Sequence, residues 1–138
     1  MNKDNSLKLA NEAEQARAAS YCPYSHFAVG AALLTESGEI FTGANIESSS
    51  YTPTVCAERV AFFTAVHGGH RDFRAIAIVG GREGEPLTDF CPPCGVCRQV
   101  MAEFADGDMP VLLVKNEEDY KEYTLAELLP LGFTSKDL

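Results

Sequence analysis

Two short segments carry side chains whose type and spacing could do chemistry: Cys56-Ala57-Glu58-Arg59, and Pro92-Pro93-Cys94-Gly95-Val96-Cys97-Arg98-Gln99. Each follows a proline-containing loop and opens a stretch of helical periodicity. Each is therefore expected at a helix N-terminus, where free amide donors and the helix dipole stabilise thiolates. Cys56, Cys94 and Cys97 together suit Zn²⁺, and three protein ligands leave a fourth position open, as in catalytic rather than structural zinc. Cys94 and Cys97, three apart, share one helix face. Cys56 and Glu58, two apart, would diverge in mid-helix. In a first turn side chains tilt toward the N-terminal end, and both can converge on one pocket. Glu58 would serve there as general acid and base toward water activated by the metal. Arg59, beside the first ligand, would offset the charge of three sulfurs.

Cys91 leaves a second arrangement open. It precedes Cys94 by three residues, and four sulfurs enclosing the metal would make the chain a zinc-stapled binding module. A closed site gives Glu58 nothing to do, so Cys91 is read as packing beside the ligand loop. Cys22 is expected to be a small buried hydrophobe. His26, His67 and His70 have no paired spacing with the cysteines and are expected at the surface or in hydrogen bonds.

Such a site needs elements to hold it. Leu7, Ala10, Ala13 and Ala16, with Glu12, Glu14, Gln15 and Arg17 between them, predict an amphipathic helix over Ser6–Ala19, ended before Pro23. Phe27–Leu34 and Ile40–Gly43, separated by Glu36-Ser37-Gly38-Glu39, predict a hairpin. Cys56–His67 reads as a helix with Ala57, Val60, Ala61, Phe63 and Val66 inward, stopped by Gly68-Gly69. Ala75–Val79 reads as a buried strand ended by Gly80-Gly81, and Arg82–Thr88 as a surface loop. A helix from Cys94 through Val100, Met101 and Phe104 to Gly107 follows, then strands over Val111–Val114 and Tyr120–Tyr123, a solvated turn at Asn116–Asp119, and a short helix over Leu125–Leu129. This order predicts an α/β fold: three layers, α/β/α, around a central mixed sheet of about five strands.

Composition narrows the function classes. A chain of 138 residues, 46% hydrophobic, supplies one core, and one domain over 1–138 is expected. A formal charge of −9 repels phosphate backbones and argues against a nucleic-acid partner. No run approaches the roughly 20 apolar residues of a membrane span, and the first residues lack an apolar signal region, so a soluble cytoplasmic protein is expected. An odd count of five cysteines fits reduced thiols better than a disulfide framework.

Taken together, Cys56-Ala57-Glu58-Arg59 and Pro93-Cys94-Gly95-Val96-Cys97-Arg98-Gln99 resemble the zinc signature of the cytidine deaminase superfamily. The block Tyr21–Leu33, with Asn45-Ile46-Glu47 and Leu128-Leu129-Pro130, is similar to the short, homotetrameric nucleoside deaminases over most of the chain from Tyr21 to Phe133. The resemblance implies hydrolysis of the exocyclic amine of free cytidine or deoxycytidine, with Zn²⁺ on Cys56, Cys94 and Cys97 and no organic cofactor. Glu58 would take a proton from the attacking water and pass protons to the departing ammonia. Phe27 would stack on the pyrimidine, Asn45 and Glu47 would bond the sugar hydroxyls, and Phe133 would close a neighbouring subunit's pocket. Ser48-Ser49 stands where the family usually has Asn-Ala, and Pro53-Thr54-Val55 also departs from its pattern. A deaminase of a blasticidin-type antibiotic or of a modified nucleoside is therefore the alternative within the family.

Overall fold

Most residues of two strands, Phe27–Thr35 (β1) and Phe73–Arg82 (β3), are buried in consecutive runs, which requires cover on both faces of the sheet they share. The computed structural model describes residues 1–116 and 118–138 and supplies that cover. The other elements are helix α1 (Lys3–Arg17), strand β2 (Ile40–Ala44), helices α2 (Ala57–His67) and α3 (Gly95–Phe104), strands β4 (Pro110–Asn116) and β5 (Asp119–Thr124), and helix α4 (Leu125–Leu128). A 3₁₀ turn, Ser135–Asp137, follows. The five strands run in the order β2-β1-β3-β4-β5. β3 and β4 are parallel and the other neighbours antiparallel, so the sheet is mixed as expected.

Alternation divides the core in two. Ala31 and Leu33 of β1, Ile76 and Ile78 of β3, and Val111 and Leu113 of β4 point to one face, where α2 and α3 supply Ala61, Phe62, Cys97 and Met101. Ala32, Leu34, Ala77, Val79 and Leu112 point to the other and meet Leu9, Ala10 and Ala13 of α1. Register keeps these sets aligned: Ala31 lies opposite Ile78, and Ile78 opposite Leu113. The result is three layers, α1 below the sheet, α2 and α3 above it.

Several boundaries and helix phases differ from expectation. α1 starts at Lys3, because the Asn2 side chain caps it by accepting from the Asn5 N–H. Its buried stripe is Ser6, Leu9, Ala10, Ala13 and Arg17; Leu7 and Ala16 lie at the margin. Arg17, expected on the polar face, is buried because its guanidinium donates to the carbonyls of Ala28, Arg82 and Glu85. On α2, Phe62 fills the interior while Phe63 is 47% exposed, a rotation of the expected stripe by one residue. α3 ends at Phe104, short of Gly107.

β3 runs through Gly80-Gly81 to Arg82 where the sequence suggested a stop. Glycine serves there for space: a Cβ on Gly80 would lie 2.6 Å from Cys91 Sγ and 3.0 Å from Phe27 Cε2. Gly69, with φ of 96°, supplies the left-handed residue after α2. Asn116 and Asp119 pair at the end of the β4–β5 hairpin, and Glu117 of that acidic turn lies outside the described residues.

Arg17 fastens three segments with one side chain, and its ion pair with Glu14, which is 48% exposed, adds little. Replacing Arg17 by Leu strands the buried Ala28 carbonyl and the part-buried carbonyls of Arg82 and Glu85, and is expected to cost about 2–4 kcal/mol, read from the urea midpoint. Glu14→Gln should shift that midpoint by less than about 0.5 kcal/mol.

Candidate active site

The N-terminal ends of α2 and α3 meet above the same end of the sheet. Cys56 is the N-cap of α2 and has extended backbone, so its side chain is free of the helical direction that Glu58 follows. Cys94 is the N-cap of α3, and its sulfur accepts from the Cys97 N–H at 3.4 Å. Cys56 Sγ and Cys94 Sγ are 3.8 Å apart, Cys94 Sγ and Cys97 Sγ 3.5 Å, and all three sulfurs lie within 4.8 Å of one another. Tetrahedral zinc with bonds of about 2.3 Å needs sulfurs about 3.8 Å apart. The three cysteines are therefore positioned to hold a metal ion, and their soft donor set suits zinc.

Proton sharing among the sulfurs agrees with this. A hydrogen bond from Cys97 holds the Cys56 thiol down to about 5, with further help from Arg59 and Cys94. The same bond pushes the Cys97 thiol up. One negative charge is thus kept on a cluster whose remaining protons a cation can replace. Arg59 Nη2 donates to Cys56 Sγ at 3.4 Å, so the expected charge-offsetting contact is present in the chain.

Glu58 is only 4% exposed. Burial pushes its carboxyl up to about 7, and the Cys56 charge adds to this. A cation on the sulfurs acts in the opposite direction. An acid that titrates near neutral pH can both take and give a proton.

Phe27 stands at the edge of this region, 38% exposed at the start of β1. Asn45 is buried, with Oδ1 accepting from the Val29 N–H and from Ser20 Oγ and Nδ2 donating to the Phe27 carbonyl. It therefore anchors the strand that presents Phe27, and one amide N–H remains for a ligand. Glu47 accepts from the N–H groups of Tyr24 and Ser25 and from Ser25 Oγ. The Ser25 hydroxyl holds its carboxyl below the usual range. Glu47 lines a cavity of about 340 Å³ with Tyr24, Ser25, Tyr51 and Thr54.

Ser20, Ser25 and Tyr51 were given no role by the sequence. Only their neighbourhood to the Tyr21–Leu33 and Asn45–Glu47 blocks signals them, because each acts through a contact made in the fold. Cys91 is half-buried and, among the described residues, outside the group of converging sulfurs. Burial pushes its thiol up to about 12. Cys22 is buried, as expected. His26 and His70 face Glu83 and Glu39, and His67 is exposed. Phe133 is 58% exposed, away from the core.

A family model described as the cytidine and deoxycytidylate deaminase zinc-binding region matches residues 3–113. The chain is 53% identical over 131 residues to a cytidine deaminase of Sporosarcina psychrophila, covering 95% of this chain and 93% of that protein. The crystal structure of cytidine deaminase from Burkholderia pseudomallei superposes with a TM-score of 0.83 at 42% identity, covering 91% of this chain and 97% of the other. A blasticidin-S deaminase of Bacillus cereus is similar at 38% identity over 109 residues, 77% of this chain and 76% of that protein.

The sulfur geometry separates the two readings of Cys91. Cys91→Ser is expected to keep one equivalent of zinc in elemental analysis, whereas Cys94→Ser should lose most of it. Loss of zinc from Cys91→Ser would make Cys91 a fourth ligand and close the site.

Proposed function

The chain belongs to the cytidine and deoxycytidylate deaminase family, and from that premise we propose that it hydrolyses free cytidine and deoxycytidine to uridine and deoxyuridine with release of ammonia. The observation that carries this reading is three sulfurs converging beside one buried carboxyl, Glu58, at the ends of two helices. Residues 1–138 act as one catalytic domain.

Cys56, Cys94 and Cys97 hold Zn²⁺, which supplies the Lewis acidity that makes water a nucleophile at neutral pH. Glu58 takes a proton from the attacking water and delivers it to the base. Once the carbon–oxygen bond at carbon 4 has formed, Glu58 takes the second proton from that hydroxyl and passes it to the amine; the carbon–nitrogen bond breaks, the carbonyl forms and ammonia leaves. Its burial keeps bulk water from competing for that proton. Arg59 donates to Cys56 Sγ and draws charge from it, so that thiolate would donate less to a bound cation than a bare one would.

Phe27 offers its half-exposed ring to the face of the pyrimidine. The ionised Glu47 accepts from a sugar hydroxyl, and the free N–H of Asn45 donates to one, which favours a nucleoside over the free base. Glu47 and the overall charge of −9 disfavour a 5′-phosphate. The same sugar contacts favour a nucleoside over a blasticidin-type antibiotic, for which Ser48-Ser49 is the residue-level support.

Phe133 and Leu131 stand outward near the C-terminus, and we assign Phe133 to closing the pocket of a neighbouring copy in a homotetramer. No described helix is long and apolar enough to cross a membrane, and five unpaired cysteines fit a cytoplasmic setting.

Incubation with cytidine, deoxycytidine, cytosine, cytidine monophosphate and blasticidin S, followed by loss of aminopyrimidine absorbance, tests the reading. Turnover of the two nucleosides alone is expected, and zinc-loaded Glu58→Gln should be slower by about 10²–10⁴-fold or more. Full activity in Glu58→Gln, or turnover of blasticidin S alone, would overturn it.

A further inference from the structure

Arg98 and Gln99 directly follow the last cysteine of the cluster, and both side chains leave α3 to hold carbonyls elsewhere. Arg98 Nε donates to the Pro93 carbonyl at 2.8 Å, and its Nη1 donates to the Leu128 carbonyl at 2.7 Å. Pro93 is buried and immediately precedes Cys94; Leu128 is the last residue of α4. One residue on, Gln99 Nε2 donates to the Phe133 carbonyl at 2.7 Å.

Between these anchors the backbone takes a form that few residues adopt. Leu131 has φ of 54°, in the left-handed region, and a Cβ on Gly132 would lie 2.7 Å from Leu129 Cδ2. The turn leaves Leu131 fully exposed and Phe133 largely so. A strained turn with two apolar side chains in solvent persists only where neighbours over-determine it. The polar side chains that reach it from α3 are Arg98 and Gln99.

We infer that Arg98 is a positioning residue that makes the loop entering the metal cluster and the segment Leu128–Phe133 one mechanical unit. A guanidinium is a rigid planar fork, so its Nε and Nη1 bonds survive together only while Pro93 and Leu128 keep one separation. Metal on Cys94 and Cys97 fixes the Pro93 end of that span. Arg98 carries the constraint to Leu128, and Gln99 holds the far end of the segment at Phe133. The inference rests on the zinc reading of the cluster and extends it: loading one copy with zinc orders the segment assigned to complete its neighbour's pocket.

Hydrogen exchange read by mass spectrometry on the full chain tests this, with zinc content measured on the same samples. In the wild type, chelation of zinc should speed exchange across residues 129–133 about tenfold or more, with β3 and β4 unchanged. Arg98→Lys keeps the charge but cannot span both carbonyls. It should exchange fast there with or without zinc and bind zinc about tenfold more weakly in chelator competition. Gln99→Ala should loosen the Phe133 end and keep zinc affinity. Equal exchange of 129–133 in stoichiometrically loaded and chelated wild type overturns the inference, as does a wild-type zinc response in Arg98→Lys. If Arg98→Lys also loosens β3 and β4, the wild-type comparison decides alone. Failure of the wild type to bind zinc sinks the metal reading itself, and this inference with it.

Discussion

Everything in this molecule answers to one demand: three sulfurs, two of them 38 residues apart in the chain, must stay within 4.8 Å of one another while carrying negative charge. Such charges repel, and left alone the chain would relax by separating them or by protonating them. Two helix N-termini aimed at the same point oppose that repulsion with oriented amide dipoles, and the Arg59 guanidinium opposes it with a full charge. Neither device works unless the helices are held at a fixed height above the sheet.

Glycine and alanine set that height. A Cβ on Gly43 of β2 would meet the Ala57 carbonyl and lie 2.7 Å from the Ala61 nitrogen, so α2 rests its backbone directly on the sheet edge. Ala57, Ala61 and Ala65, four apart on α2, form the smooth stripe that permits this approach, and Phe62 beside them supplies the apolar area. Gly30 plays the same part under α1, where a Cβ would fall 2.7 Å from the Arg17 nitrogen. Gly80 makes room for Cys91 and Phe27 together. A larger residue at any of these positions would move a helix end or the ligand loop, and with it a sulfur.

This explains which parts were legible in the sequence. The layers, the hairpin and the mixed sheet follow from periodicity and from short connections, so they could be read directly. Helix phase could not: Phe62 and Phe63 are equally apolar, and only the position of the Ala57-Ala61-Ala65 stripe against Gly43 decides which one faces inward. Arg17 reads as a surface residue until three carbonyls, from β1, the end of β3 and the loop after it, converge on it. Gly80-Gly81 carries the same letters as a turn, yet in β3 it provides space. At the site, metal chemistry admits few residue types and few spacings, so Cys56, Glu58, Cys94 and Cys97 stood out. Ser20, Ser25, Arg98 and Gln99 act through hydrogen bonds that exist only once distant segments meet.

Without a cation, the site is a compromise among groups pushed in opposite directions. Burial raises the Glu58 carboxyl to about 7, so the neutral acid is favoured in the fold more than in water. The Cys56 thiol is held down to about 5 while Cys97 beside it is pushed up. A divalent ion on the sulfurs would act on both conflicts at once: it would replace the thiol protons and set a cation next to Glu58, which lowers the cost of ionising that carboxyl. The destabilising features of the free chain are therefore the ones that give it affinity for metal. A core with an apolar side chain at residue 58 would avoid the cost of burying a carboxyl, and it would have no titratable group beside the sulfurs.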